Sequence, residues 1–399
     1  MPKELRIVFM GTPTFAVTVL DRIVKTGHNI VSVVTAPDRP AGRGQQIRKS
    51  EVKLYAESKD LTVIQPTHLK SEEFNQELQN LNADVFIVVA FRMLPAVVWK
   101  IPTKGTINLH ASLLPQYRGA APINWAIMNG EVKTGVTTFF INEVIYTGDI
   151  IKKQEVDIHE QMTAGELHDV LMNCGADLIT ETLKEVQNGT ISRSNQKQVM
   201  ESELKPAPKI FKLDCQIRWT DSIDMIYNKI RGLSPYPGAW CKIENKSKGT
   251  IVQFKLFSSV LTNDITIPGD KNLKSSENGI LFPCEDLFIL VDELQMEGKR
   301  RMNYKDFLAG NKMYYVGGQS GAYWEGIPEH ETIGLTHPFF RDMRSRGYGM
   351  TKTEYGIGND KWGWEFYRLT KGAYGTVIHD GKEYKHPKPE NLIWPQELF

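Results

Sequence analysis

The chain opens with an apolar, β-branched run, Leu5-Arg-Ile-Val-Phe-Met10, that stops at Gly11-Thr12-Pro13. Apolar positions then recur at Phe15, Val19, Leu20 and Ile23, the spacing of one helical face, with a proline in the first turn. A second strand is expected over Asn29–Thr35, and further apolar runs at Thr62–Ile64 and Asp84–Ala90 flank a polar helical segment. Strands that are apolar throughout, alternating with helices, predict a parallel sheet covered on both faces, so the fold class is α/β and doubly wound. A helix from Thr163 to Gln187 closes this domain. Thr163 and Glu166 have capping-box spacing, and Leu167, Leu171, Cys174, Leu178 and Val186 form its apolar stripe.

From Asn188 to Ala207 the pattern lapses into Gly, Ser, Asn, Gln, Lys and Pro, the composition of a linker. One helical stretch, Ser222–Arg231, follows, and then short alternating runs such as Thr250–Phe257 and Gly279–Val291 that suggest a small β-barrel. The character changes again near Met313: the last 87 residues hold 16 of the 39 aromatics and 13 of the 32 glycines. The expected division is therefore a first domain over 1–190, a linker over 191–206, a second domain over 207–312 and an extension over 313–399. That extension matches no known pattern. A small aromatic-cored module, a segment wrapping the rest of the chain and a fused reading frame all remain open.

Composition narrows the function classes. The 399 residues are 41% hydrophobic and 24% charged, with 48 basic against 47 acidic side chains, which excludes wholesale disorder and a function carried by large net charge. The longest apolar stretch, Ala83–Phe91, contains a charge and falls short of the roughly 18 residues a membrane helix needs. No signal-peptide pattern precedes the first strand, so a cytoplasmic protein is expected. Cys174, Cys215, Cys241 and Cys284 lie 26 to 43 residues apart without ligand spacing and read as isolated thiols, with no metal site. Residues 205–312 carry 17 Lys or Arg against 13 Asp or Glu, an excess that permits a phosphate-bearing partner.

The chemistry concentrates in Asn108-Leu-His110-Ala-Ser112-Leu113-Leu114-Pro115-Gln-Tyr-Arg118-Gly119-Ala-Ala-Pro122. In extended geometry Asn108 and His110 face one side. His supplies a base near neutral pH and Asn an amide donor for an oxyanion, a pairing suited to acyl transfer. Taken alone, Asn-x-His reads as two satisfied turn residues. The wider set of motifs goes further. Gly11-Thr-Pro-x-Phe-Ala16, Pro37-Asp-Arg-Pro-Ala-Gly-Arg-Gly44, Asn108-x-His110, Ser112–Pro115, Arg118–Pro122 and Thr134-Gly-Val-Thr137 together resemble the methionyl-tRNA formyltransferases. So do Ala207–Ile210, Gly232–Trp240 and Gly298–Gly310, and the resemblance covers residues 1 to about 312.

The resemblance implies transfer of a formyl group from 10-formyltetrahydrofolate to the amine of methionyl initiator tRNA, by a monomer that needs no metal. It implies a Rossmann-like catalytic domain with Asn108 and His110 as catalytic residues and Ser112, Leu113, Leu114 and Pro115 lining the folate site. It also implies an OB-like second domain that helps hold tRNA, and a basic loop with Arg39, Arg43, Arg48 and Lys49 reaching the acceptor stem. That loop, like Lys299-Arg300-Arg301, has the competing reading of a solvated basic surface. One departure stands out: the third catalytic residue is the first Asp of an Asp-Thr-Gly run, whereas this chain reads Ile145-Tyr146-Thr147-Gly148-Asp149. Tyr146 occupies the catalytic position, and Asp149, three residues on, does not replace it. A lesser departure is Arg218 before Trp219, where the family more often carries an acidic residue. The expectation is an impaired formyltransferase; the alternatives are a non-catalytic tRNA- or folate-binding member and a formyltransferase acting on an amino-sugar nucleotide.

Overall fold

The computed structural model describes residues 4–41, 46–196, 201–245, 249–265, 272–284, 287–310, 315–316, 376–379 and 382–385. Arg43 and almost all of the expected 313–399 extension lie outside the described residues. Two compact units emerge. The first runs from the start of the chain to Asp214 and includes Arg231–Pro237, and the second takes Cys215–Ile230 and the chain from Gly238 onward.

The first unit follows the alternation read from the sequence. β1 (Arg6–Gly11), α1 (Thr14–Lys25), β2 (Asn29–Val34), a hairpin of β3 (Arg39–Ala41) and β4 (Gln46–Arg48), α2 (Glu51–Glu57) and β5 (Val63–Ile64) come first. Then follow α3 (Glu72–Asn80), β6 (Val85–Val89), α4 (Ala96–Trp99), β7 (Thr106–His110), α5 (Pro122–Met128), β8 (Lys133–Phe140), β9 (Ile150–Asp157) and α6 (Ala164–Asn188). The main sheet has the order β5-β2-β1-β6-β7-β8-β9. Its first five strands are parallel, as expected, while β8 and β9 join antiparallel at the β7 edge.

Alternation through the parallel strands feeds two cores. Ile7, Phe9, Ile87, Ile107 and Leu109 pack with Leu20 and Ile23 of α1 and Leu171 and Ile179 of α6. Val8, Met10, Phe86 and Val88 pack on the other face with Phe74, Leu78 and Val98. The continuous apolar runs thus serve both faces of a doubly wound sheet. The edge strand β9 is polar and charged over Lys152–Glu155 and exposed from Lys153 to Glu155, a composition that protects an edge but carries little strand signal.

The second unit is β-rich. β10 (Ala239–Asn245), β11 (Thr250–Ile265), β12 (Lys274–Ser275), β13 (Ile280–Cys284), β14 (Leu287–Met296), β15 (Met302–Asn303) and β16 (Tyr315–Val316) form one antiparallel sheet, accompanied by α7 (Ile223–Gly232) and α8 (Tyr304–Gly310). Two expectations need correction here. The Gly279–Val291 run is two paired strands, separated in sequence by Glu285-Asp286, and the Thr250–Phe257 run continues to Ile265. Register breaks along β11 let it bend as it passes from β10 to β14. Arg218 pairs locally with Asp221 at 3.3 Å, and Trp219 stacks on Phe282. Arg301 bonds to Glu293 and lies over the Phe257 ring, so this cation of the Lys299–Arg301 run is already engaged. A hairpin of β17 (Thr376–His379) and β18 (Lys382–Lys385) is the described remainder of the tail.

The four cysteines are free thiols, and no described helix is long and apolar enough to cross a membrane. The capping box at α6 is complete: Thr163 Oγ1 accepts from the Glu166 amide, and the Glu166 side chain accepts from the Thr163 amide at 2.8 Å. Thr163→Ala is therefore expected to destabilise the chain by about 1 kcal/mol, read as a lowered urea midpoint with unchanged slope.

Candidate active site

Strand order reverses between β1 and β6, and in open α/β sheets the crevice outside the carboxyl ends at such a point is where ligands bind. β1 leads there into Gly11-Thr12-Pro13, and β6 into Ala90, whose φ is +46°. β7, next to β6, ends at His110. Side chains alternate along β7: Ile107 and Leu109 join the core shared with α6, so Asn108 and His110 project from the opposite face. The expected pairing of these two residues is therefore built by the strand itself. Their neighbours on β8 are Phe139 and Thr137. Asn108 is half-buried, and its carboxamide makes no hydrogen bond to the described residues.

His110 is buried, with 6% of its surface exposed. Its Nε2 lies 2.9 Å from the Tyr117 carbonyl oxygen. A carbonyl only accepts, so Nε2 carries the proton and Nδ1 holds the free lone pair. Burial pushes the imidazole pKa down to about 4, against the opposing pull of the Tyr117 carbonyl. The ring is neutral at pH 7 by a wide margin.

Tyr146 covers the imidazole, with ring centroids 4.7 Å apart, and its hydroxyl donates to the Gly119 carbonyl at 3.0 Å. The ring also packs with Leu114, Phe139 and Ile150. Burial pushes its phenol pKa up. The position where the resemblance places a carboxylate is thus filled by a neutral, largely buried ring.

Three non-glycine residues around this crevice adopt left-handed backbone: Ala90, Tyr117 at φ +58° and Tyr146 at φ +62°. Each such conformation costs about 1–3 kcal/mol and persists only when neighbours over-determine it. Tyr117 donates its amide to the Lys205 carbonyl at 2.7 Å and its hydroxyl to Glu131. Gly119, at φ +143°, lets Ala207 approach so closely that a Cβ would stand 2.0 Å from its carbonyl oxygen. Gln196 donates to the carbonyls of Tyr146 and Gly148 and accepts from Arg118. Ser194, Gln196, Lys205 and Ala207, from the stretch that reads as linker by composition, contribute directly to the surroundings of the site. Nothing in the sequence marks Tyr117 or Gln196, because one acts through a carbonyl and the other lies in a stretch of low pattern.

The run Ser112–Pro115 forms a turn just past β7. Ser112 is buried and donates to the Gln116 carbonyl at 2.7 Å, while Thr137 Oγ1 donates to the Ser112 carbonyl at 2.6 Å. Leu114 is fully buried; Leu113 and Pro115 keep partly exposed surfaces.

The basic segment is the β3–β4 hairpin rather than an open loop. Arg39 and Arg48 stand opposite one another across it. Arg48 pairs with Glu51 at 3.4 Å and Lys49 with Glu57 at 2.8 Å, while exposed Arg39 has no carboxylate partner among the described residues. At the hairpin's base, Lys53 bonds to Asp38 and Gln65, each at 2.6 Å, and Thr35 bonds to Ser50 at 2.7 Å. Among the described residues no cluster of His, Cys, Asp and Glu could hold a metal ion.

Comparison with known proteins is consistent with this geometry. The formyl transferase family model matches residues 5–183, and the model of the formyl transferase C-terminal domain matches residues 209–312. The methionyl-tRNA formyltransferase of Flavobacterium johnsoniae is 49% identical over 308 residues, covering 77% of this chain and 96% of the relative. That of Bacteroides fragilis is 46% identical over 310 residues, covering 77% and 95%. Among solved structures, the sugar 3N-formyl transferase WlaRD, determined with dTDP and 5-N-formyl-THF, aligns with a TM-score of 0.54 at 20% identity over 75% of this chain and all of its own. HypX from Aquifex aeolicus, in complex with tetrahydrofolic acid, aligns with a TM-score of 0.53 at 17% identity over 82% of this chain and 48% of its own. At those identities the likeness to the solved structures is one of fold.

The buried imidazole has a measurable consequence. Below about pH 6.5 an unfolded histidine takes up a proton that folded His110 refuses until about pH 4. Stability is therefore undiminished above pH 6.5, falls as pH drops toward 4, and gains no further penalty from this group below that. Urea unfolding should show about 2 kcal/mol lost between pH 7 and pH 5 that His110→Gln does not lose.

Proposed function

The chain belongs to the methionyl-tRNA formyltransferase family, and from that membership we propose that it transfers a formyl group from 10-formyltetrahydrofolate to the amine of methionyl initiator tRNA, at a rate lowered by Tyr146. The observation that carries this reading is the placing of Asn108 and His110 on one face of β7, beside the switch-point crevice. The folate donor supplies an activated formyl carbon. This chain's residues then have two tasks, to accept the proton lost by the amine and to hold the charge that develops on the formyl oxygen. Nδ1 of His110 is the proton acceptor, since Nε2–H is committed to Tyr117. The unengaged carboxamide of Asn108 donates to the oxyanion.

Ser112, Leu113, Leu114 and Pro115 form one wall of the folate site. Leu113 and Pro115 contribute their exposed faces, while buried Ser112 and Leu114 hold the turn in shape. Residues 1–190 thus carry the chemistry, and the domain over 207–312 helps hold the tRNA. Arg39, Arg43, Arg48 and Lys49 take the acceptor end. Like charges directly opposite across a hairpin repel, and a phosphate between Arg39 and Arg48 relieves that repulsion.

The rate penalty has a physical cause. A base whose conjugate acid lies near pH 4 matches poorly with an α-amine of pKa about 8. A carboxylate at position 146 would stabilise the imidazolium and raise that value; a half-buried, neutral phenol supplies no charge. Loss of the orienting aspartate in the serine-protease triad costs about 10⁴ in turnover, which sets the scale.

Single-turnover formylation of Met-tRNA should accelerate on the order of 10²–10⁴-fold in Tyr146→Asp. Equal rates in the two proteins would refute the role assigned to position 146. Arg39→Ala should weaken Met-tRNA binding and lower the slope of log affinity against log salt by about 0.7–0.9, with the affinity for the folate donor unchanged.

A further inference from the structure

We propose that Gln196 is a positioning residue of this site: its carboxamide fixes the backbone of residues 146–148 and so sets where the side chain at position 146 stands over His110. The inference rests on the reading of position 146 given above, and nothing in the sequence pattern points to it.

Three hydrogen bonds converge on this one buried side chain, which is 8% exposed. Nε2 donates to the Tyr146 carbonyl at 2.7 Å and to the Gly148 carbonyl at 2.9 Å, while Oε1 accepts from Arg118 Nη2 at 2.6 Å. All the polar capacity that faces the site is used, and the chemistry is specific to an amide: two carbonyls require N–H donors, and a guanidinium requires an acceptor. The stretch it holds has no slack. Tyr146 is in left-handed backbone, and a Cβ on Gly148 would stand 1.7 Å from the Phe140 carbonyl oxygen. Residues 146–148 are thus pressed against β8 on one side and anchored by Gln196 on the other. The tip beyond is held by Thr147 Oγ1, which bonds to Asn142 and to the Val144 carbonyl, and by an exposed pair of Glu143 with Lys100 at 2.9 Å, with Val144 and Ile145 exposed. A strained residue persists only where its surroundings over-determine it, and Gln196 is the side chain from outside the loop that bonds to its carbonyls.

The bonds form a closed circuit that includes the residue lying against the imidazole. Gln196 holds Arg118; the next residue, Gly119, accepts the Tyr146 hydroxyl; and the Tyr146 carbonyl returns to Gln196. Gln196 is itself held in place by Ser194, which exchanges backbone bonds of 2.8 and 2.9 Å with Ile150 at the start of β9. The imidazole faces the Tyr146 ring and the Tyr117 carbonyl, with Thr137 opposite it on β8, and among the described residues its pKa is set by burial against the Tyr117 bond. Removing the Gln196 donors frees position 146 to move, which admits water to the imidazole and misplaces any carboxylate introduced there.

The test uses the full chain with Gln196→Met, which keeps length and loses every hydrogen bond, and Gln196→Glu, which keeps a partner for Arg118 and loses the donors. The midpoint of His110 titration, followed by NMR and assigned with His110→Gln, should rise by about one pH unit or more in both variants. In the maximal single-turnover rate, Gln196→Met should cost about tenfold more in the Tyr146→Asp background than in the Tyr146 chain, with the apparent affinity for Met-tRNA unchanged. A general loss of stability would tax both backgrounds alike. A midpoint unmoved in both variants, or an equal cost in the two backgrounds, overturns the proposal. If Tyr146→Asp proves no faster than the parent, the reading of position 146 fails by itself, and the titration midpoint alone decides the role of Gln196.

Discussion

The bond from His110 Nε2–H to the Tyr117 carbonyl is the constraint around which the site is arranged. It assigns the tautomer, aims Nδ1 as the one basic atom, and satisfies the donor that burial would otherwise leave unpaired. Its acceptor is available only because Tyr117 adopts left-handed backbone, with its amide on the Lys205 carbonyl and its hydroxyl on Glu131. That conformation depends in turn on the return of the chain at 205–207 to lie along 117–121, where Gly119 leaves space for Ala207. The imidazole of β7 is therefore oriented by residues some ninety positions downstream as much as by its own strand.

On the proposed reading, Tyr146 stabilises the site in a way that opposes its chemistry. Packed with Leu114, Phe139 and Ile150 and bonded to Gly119, the ring adds apolar contact and excludes water from His110. The same burial pulls the imidazole pKa down, because the protonated ring has neither solvent nor a carboxylate to stabilise it. An aspartate in this place would lose the packing and carry a desolvation cost, offset only by its pairing with the imidazolium. If the proposed role of position 146 holds, this chain exchanges charge stabilisation there for packing, a local form of the general opposition between stability and activity.

Much of this was legible in the sequence because each signal had a local cause. The apolar runs of β1, β2 and β6 required a two-sided core, the Thr163–Glu166 spacing required a helix start, and Asn108-x-His110 required one common face once β7 was extended. The substitution at Tyr146 was visible from the Thr147-Gly148 register that follows it. What stayed hidden depended on distant pairing or on backbone atoms. The charged edge strand β9 carries little hydrophobic pattern, the Tyr117 carbonyl has no side-chain signature, and Gln196 sits in a segment whose composition suggested only a connection. The basic hairpin read as a loop because the residues that clamp its base, Asp38, Lys53 and Gln65, lie apart in sequence.

His110 is a neutral, buried imidazole with its proton on Nε2. Nitrogen-detected NMR of the imidazole in the unmodified chain tests this assignment most directly. The Nε2–H tautomer is expected at pH 7, with a titration midpoint near 4. A midpoint at or above about 6.5, or a proton on Nδ1, would contradict it.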